Sequence, residues 1–320
     1  MQTQSWNESL HPRAPAGRSD GGKWISFTHA SPTEAKLRGK EADKQFDDLK
    51  YNKELKRWET ADGKPVSAFI SDRLKLIGAK PGYVRVSLNP DFEAPLQARS
   101  IDAAGRVQPL YSKTHSVASA AENFARLKEF NGQLPKLTAN IAAGLKAGDE
   151  SAAALRVIEQ TAIRVGSDRE TFAKTKAYGA STLLGQHVTL DGDNISLNFV
   201  GKSGKVNERN FKDPELASFI RAKSLGPNDR VFNTRDSKIR DTMKKMAGSK
   251  DFSPKDYRTS WGTAKAIEAI KAAPKPKNER EWTKLHASVS KHVSEFLGNT
   301  PSVAAKYYID PAVWPDKKGW

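Results

Sequence analysis

Apolar positions recur at helical spacing through most of the chain after Ser116 and alternate with polar ones only in a few short stretches. Phe124, Leu127 and Phe130 predict one helix, and Leu155, Ile158, Ala162 and Val165 another. Ile195 to Val200 alternates, turns through Gly201-Lys202-Ser203-Gly204-Lys205 and resumes at Val206, which is a β-hairpin. Helices are expected near 214–223 and 236–246, and Trp282, Leu285, Val289, Val293 and Phe296 mark a further one, stopped by Gly298 as a C-cap. Thr300-Pro301 opens the next, with Thr as N-cap and Pro at the first helical position.

The pattern differs upstream. Tyr83 to Leu88 alternates, and Leu96 to Ile101 runs into the turn signature Asp102-Ala103-Ala104-Gly105 and then Arg106-Val107-Gln108, so a hairpin within a small β domain is expected over 63–115. Thr33 to Trp58 is highly charged, with Leu37, Phe46, Leu49 and Leu55 as sparse apolar points, and reads as one exposed helix. His11 to Lys23 is rich in Pro, Gly and charge and reads as a flexible tail. The expected organisation is therefore α+β: an amino-terminal extension at 1–62, a β-rich domain at 63–115 and a helical domain at 116–320 carrying a β-hairpin.

Composition narrows the function. The 320 residues are 37% apolar and 28% charged, with a formal net charge of +16. That excess of Lys and Arg suits a polyanion, with nucleic acid first among the candidates. A membrane surface competes, but no apolar run approaches the ~18 residues of a spanning helix, and Met1 to Asp20 lacks the apolar core of a signal peptide. There is no cysteine, which removes thiolate nucleophiles and Cys-ligated metal centres. His286 and His292 lie six apart, a spacing that does not share one helical face, so no protein metal site and no cofactor are expected. Gly201-Lys202-Ser203 suggests a phosphate-binding P-loop, but Ser196 stands where that motif needs its first Gly, so no nucleotide is expected. Chemistry then falls to Arg, Lys, Tyr, Ser or carboxylates.

Arg164 follows a buried-looking helix, Lys202 sits on a hairpin tip, Arg258 lies in Lys255-Asp256-Tyr257-Arg258-Thr259-Ser260, and Asn299 precedes Tyr308 by nine positions. Each alone has an ordinary explanation: a solvated Arg, an exposed turn Lys, a core Tyr. In this order and context, with Ile163-Arg164-Val165-Gly166, Tyr178 to Leu183, His187-Val188, Leu297-Gly298-Asn299-Thr300-Pro301 and Tyr308-Ile309-Asp310-Pro311, they resemble the type IB DNA topoisomerase family in its compact bacterial and poxviral form, a relative of the tyrosine recombinases. Gln97-Ala98, Asp102 to Gln108 and Tyr111 resemble the strand and turn with which that family's amino-terminal domain meets the DNA major groove. The resemblance spans roughly Ile77 to Pro311; residues 1–62 lie outside it.

The resemblance implies a nucleophile at Tyr308, cationic catalysts at Arg164, Lys202 and Arg258, and a phosphate-facing amide at Asn299, where many members have His. It implies DNA contacts at Arg106, Gln108, Tyr111, Lys205 and Lys255, and a monomer clamped around duplex DNA, β domain on one face and helical domain on the other. The reaction implied is transient cleavage of one strand through a 3′-phosphotyrosyl intermediate, strand rotation and resealing, without ATP or metal. Trp6 and Trp24 around the Pro/Gly/Arg tail resemble short segments of phage-encoded polypeptides, a hint of a viral source; the expected location is the cytoplasm, at the nucleoid or, if phage-encoded, in the host cytoplasm or virion. The rivals are a tyrosine recombinase, which usually presents His-x-x-Arg and a Gly-His pair where this chain has Lys255-Asp256-Tyr257-Arg258 and Gly298-Asn299, and a non-catalytic basic DNA-organising relative.

Overall fold

A computed structural model describes residues 46–103, 105–171 and 176–316. The tail, Trp6, Trp24 and the first part of the helix expected over Thr33–Trp58 lie outside the described residues. The described residues form two compact units, which divide between Ser119 and Ala120.

In the first unit a two-stranded hairpin, β1 (Lys50–Asn52) and β2 (Arg57–Glu59), leads to helix α1 (Ala68–Leu76) and then to an antiparallel sheet of β3 (Arg85–Leu88), β4 (Leu96–Ile101) and β5 (Val107–Tyr111) in that order. The register sets Arg85 opposite Ile101 and Ile101 opposite Val107. The β4–β5 turn agrees with the sequence expectation: Gly105 takes φ 75°, a conformation that favours glycine, and its N–H bonds to the Asp102 carbonyl at 2.9 Å. The core is Leu49, Trp58, Ile70, Leu74, Val86, Leu88 and Ala98.

The structure differs from expectation at two places here. Residues 49–59 are not part of an exposed helix. Leu49 bridges to Val86, and Leu49 and Trp58 are buried, so the stretch from Leu49 packs with the β unit and is no separate extension. The helical reading rests on a few apolar points, and a hairpin that buries Trp58 of β2 and Leu49 just ahead of β1 gives an equally sparse pattern. The second difference is a helix inside the β-rich domain expected over 63–115. Ser67 caps α1 by accepting from the Ile70 N–H, and the helix buries Ile70, Arg73 and Leu74.

The second unit is mainly helical: α2 (Lys113–Lys146), α3 (Glu150–Thr161), the short α4 (Asp168–Thr171), a three-stranded antiparallel sheet of β6 (Val188–Asp191), β7 (Asn194–Val200) and β8 (Val206–Lys212), then α5 (Pro214–Arg221), α6 (Asp236–Ala247), α7 (Pro254–Ala272), α8 (Glu279–Leu297) and α9 (Pro301–Tyr307). The expected hairpin is β7–β8, with β6 added at its outer side. β7 buries every second residue, Ile195, Leu197 and Phe199. α3 runs through the centre, capped by Asp149 and buried along nearly its whole length. It is shorter than the apolar spacing suggests. Ala162 turns left-handed at φ 53° and ends it, so Val165 belongs to a loop. The caps at the far end stand where the sequence puts them: Gly298 closes α8 at φ 63°, and the Thr300 side chain accepts from the Val303 N–H with Pro301 next in the chain. A second core of Ala162, Ala266, Val289, Val293, Leu297, Ala304, Tyr308 and Ile309 joins α7, α8 and α9. Among the described residues no helix is long and apolar enough to cross a membrane.

Candidate active site

Four of the five residues singled out for chemistry line one cavity of about 320 Å³: Arg164, Lys202, Arg258 and Tyr308, joined by Lys255. They come from separate places in the chain, and each is held by a distinct local device.

Arg164 lies in the loop after α3. Its carbonyl accepts from the Ala180 N–H at 2.9 Å, and the Val165 carbonyl from the Ser181 N–H at 2.7 Å, so the loop is zipped to the segment 179–181. Two glycines make this approach possible. A Cβ on Gly179 would stand 2.5 Å from the Gly166 nitrogen and 2.6 Å from the Arg164 oxygen. Lys202 sits in the β7–β8 turn, closed by the Gly201 N–H donating to the Lys205 carbonyl at 2.7 Å and by positive φ at Ser203 and Gly204. The turn is exposed, and Lys202 reaches the cavity from its rim.

Arg258 is on the first turns of α7 and almost wholly buried. Its Nη1 donates to the Ala162 carbonyl at 2.5 Å and its Nη2 to the Leu297 carbonyl at 2.8 Å, the ends of α3 and α8. These helix-terminal carbonyls lack intrahelical donors and carry the negative end of the helix dipole, so a guanidinium is a fitting partner for both. The Arg258 pKa is lowered to about 10, by burial first; the nearby Tyr308 works against this, while the positive charges of Arg164 and Arg209 add to it. Tyr308, at the carboxyl end of α9, is 6% exposed, and the Arg258 guanidinium lies 5.1 Å from its ring centroid. Burial alone would raise the phenol pKa, but the charges of Arg258 and Arg164, with Lys255 behind them, outweigh it and bring the phenol below its usual value.

Asn299 stands apart. It occupies the turn between α8 and α9, its N–H bonded to the Ser294 carbonyl at 3.0 Å, and it is not among the residues lining the cavity. Both polar atoms of its side chain are shielded and have no partner among the described residues. Of the expected DNA contacts in this unit, Lys255 lines the cavity, and Lys205 is exposed at the end of the hairpin turn and is not among the lining residues. In the first unit Asp102 holds two others: it accepts from Arg106 Nε at 2.8 Å and from Gln108 Nε2 at 3.1 Å. Tyr111 is 44% exposed, its ring 5.1 Å from that of His115. Gln97, in the strand segment compared with a DNA-contacting one, is buried and accepts from the buried Arg73 at 2.7 Å.

Sequence reasoning misses several residues of the site. Asp236 and Arg240 line the cavity from the start of α6, with Arg240 Nη2 and a carboxylate oxygen of Asp236 3.6 Å apart. Their i, i+4 spacing marks a surface pair on any helix and says nothing about which surface. Ser253 lines the cavity from the N-cap of α7. Arg209 is a further omission. It donates to the Thr161 carbonyl at 3.2 Å and to the Phe296 carbonyl, backing Arg258 from β8.

The family model for the catalytic core of eukaryotic DNA topoisomerase I matches residues 112–312, more than half of the chain and all five candidate positions. This chain belongs to the type IB DNA topoisomerase family. It is also 26% identical to DNA topoisomerase 1B of Acanthamoeba polyphaga mimivirus over 262 residues, which cover 74% of this chain and 77% of that protein. Two solved structures share a weaker likeness. A pre-cleavage complex of the XerH site-specific recombinase with its difH substrate is 16% identical, covering 57% of this chain and 50% of that one at a TM-score of 0.37. The post-cleavage complex with palindromic difH is also 16% identical, at 55%, 48% and 0.36. The α+β architecture therefore stands on the chain's own elements, and the enzyme class on the family match.

Proposed function

We propose that the protein relaxes supercoiled duplex DNA by cutting and resealing one strand with Tyr308, as a monomer that needs neither nucleotide nor metal. One observation carries this reading: a buried tyrosine with a lowered pKa shares a cavity with Arg164, Lys202 and Arg258.

Phosphoryl transfer between oxygens is catalysed mainly by positioning and by neutralising charge on the non-bridging oxygens. Arg164 and Arg258 serve that purpose, since a guanidinium matches two phosphate oxygens. The same charges favour the Tyr308 phenolate. The phenolate oxygen attacks phosphorus, the bond to the 5′-oxygen breaks, and that oxygen takes a proton from Lys202. Asn299 donates from its amide to a phosphate oxygen. The 3′-phosphotyrosyl bond preserves the free energy of the broken one, so the free 5′ end rotates and then attacks back without ATP. Lys205 and Lys255, and Arg106, Gln108 and Tyr111 of the first unit, are assigned to contacts with the duplex, most of them to its phosphates. The cytoplasm, whether at the nucleoid or in an infected host, is where such a substrate is met, and the likeness to a viral enzyme supports the second setting.

The test is incubation with supercoiled plasmid in EDTA without ATP. Relaxation by the wild type, absent in Tyr308→Phe together with covalent capture of DNA, is the expected result. Relaxation that persists in Tyr308→Phe overturns the assignment, and activity confined to paired specific sites identifies a recombinase instead.

A further inference from the structure

Tyr308 stands just past the last turn of α9, at φ −133° and ψ −5°, so helical hydrogen bonding does not fix the orientation of its side chain. Its N–H still reaches the Ala304 carbonyl. The segment from Ile309 to Pro315 forms a strap beyond the tyrosine, pinned at both ends.

At the near end the pin is α7. A Cβ on Gly262 would lie 2.5 Å from the Tyr308 carbonyl oxygen and 3.1 Å from the Tyr308 Cβ, so only glycine lets this backbone approach. The next residue, Thr263, donates from Oγ1 to the Tyr308 carbonyl at 3.3 Å and accepts from the Asp310 N–H at 3.1 Å. One helix thus holds both Arg258 and the backbone of Tyr308 one turn further along. In the middle Ile309 is fully buried, and Asp310 caps the 3-10 turn Pro311–Val313 by accepting from the Ala312 N–H at 2.9 Å. At the far end is an aromatic stack. The His286 ring lies 4.3 Å from that of Trp314 and 5.0 Å from that of Trp282, at interplanar angles of 30° and 23°. Trp282 Nε1 closes the far end by donating to the Pro315 carbonyl at 3.1 Å.

We propose that Trp314, Trp282 and His286 form a latch that sets the direction of the Tyr308 side chain, making them positioning residues for the cleavage step. The proposal rests on the reading of Tyr308 as nucleophile. None of the three lines the cavity, so their part is assigned to positioning rather than to contact with the phosphate. The strap between latch and nucleophile is short and already folded into a capped turn, so slack at Trp314 passes to Tyr308. Displacing a reacting group by ~1 Å costs on the order of 10²-fold in rate.

The experiment uses the full-length protein and a labelled duplex oligonucleotide on which cleavage traps the covalent adduct. In Trp314→Ala the single-turnover rate of adduct formation at saturating DNA should fall on the order of 10-fold to 10²-fold, with duplex affinity unchanged. Trp314→Phe should recover most of the rate, and Trp282→Phe, which loses the hydrogen bond and part of the stacked ring, should fall between them. Gly262→Ala reaches the same tyrosine from the other end and should show the same split between rate and affinity if the C-terminal segment fails to fold in Trp314→Ala. Wild-type rates in Trp314→Ala overturn the latch. So does a fall in rate matched by an equal fall in affinity in both Trp314→Ala and Gly262→Ala. Adduct formation by Tyr308→Phe instead overturns the nucleophile assignment, and the two failures are distinguishable because the latch variants retain Tyr308.

Discussion

Adding one methyl group at Gly179 should disable cleavage without altering any side chain assigned a chemical role. The Cβ of an alanine there would stand 2.5 Å from the Gly166 nitrogen, 2.6 Å from the Arg164 oxygen and 2.7 Å from the Gly166 Cα. All three are backbone atoms, so no flexible side chain can swing aside. Gly179 itself has φ −163°, extended backbone that alanine adopts freely, so the effect is purely one of space. Ordinary contact begins near 3.4 Å, which leaves the two segments about 0.9 Å too close. Opening them by that amount breaks the Ala180 N–H to Arg164 carbonyl bond, now 2.9 Å, and carries Arg164 away from the cavity.

Overpacking of this kind costs ~1–3 kcal/mol of stability, and a shift of nearly 1 Å in a catalytic cation costs on the order of 10²-fold in rate, equivalent to ~2.7 kcal/mol of barrier. The assay is single-turnover adduct formation alongside thermal unfolding. Gly132→Ala is the control: it lies inside α2 with nothing within 4 Å of the added carbon and should be neutral or slightly stabilising. If Gly179→Ala cleaves at the wild-type rate, the glycine contact does not position Arg164, and the account of that loop is wrong.

Three other outcomes are expected from the same structure. Because the Tyr308 pKa is lowered, adduct formation should rise with pH to a midpoint below ~10, the usual phenol value; Arg164→Ala removes one of the charges that lower it, so the midpoint should move up, and a pH–rate profile that does not shift counts against a phenolate stabilised by Arg164. Trp58→Ala empties a core position of the first unit and should cost ~3–5 kcal/mol, and deletion of residues 1–62 should likewise unfold that unit; an unchanged melting transition and protease pattern would restore the view of 1–62 as a detached extension. Asn299→Ala removes an amide that has no partner among the described residues, so stability should hardly change, while the adduct rate should drop if that amide awaits a phosphate; equal rates in the two proteins would strip Asn299 of its role.

What the sequence discloses depends on whether a signal is local. Gly298, Thr300 and Pro301 announce the break between α8 and α9 through cap chemistry alone, and the β7–β8 hairpin through alternation and a Gly-rich turn, so both stand where they are expected. The end of α3 escapes such a reading because Ala162 adopts φ 53° although nothing in alanine favours it. Its carbonyl is taken by Arg258, 96 positions later, and such a tertiary bond leaves no trace in local spacing. The β1–β2 hairpin is hidden for a similar reason: Leu49 and Trp58 are core residues only because Val86 and α1 lie against them. For the site, resemblance supplies the five positions, and the structure brings four of them to one cavity. Asp236, Arg240, Gly179 and Gly262 are invisible in the sequence because their significance is a distance to another segment.

The electrostatics of the cavity bear on why these cations are held as they are. Arg164, Lys202, Arg240, Lys255 and Arg258 converge there with Asp236 as the one carboxylate among the lining residues. Burial is the first cause of the lowered Arg258 pKa; Tyr308 works against it, and the like charges of Arg164 and Arg209 add to the lowering, so part of the shift is repulsion between cations. Two neutral carbonyls stabilise the Arg258 guanidinium without cancelling its charge, and its Nε is left without a partner among the described residues. An ion pair with a carboxylate would occupy the charge, since the phosphate would have to displace it. A cation fixed by dipoles needs no such exchange: a phosphodiester entering the cavity relieves repulsion already present, and the charge that develops at phosphorus meets groups already oriented toward it. Substituting the α3 end so that Arg258 gains an acidic partner, as in Ala162→Asp, should therefore stop cleavage even where the fold survives.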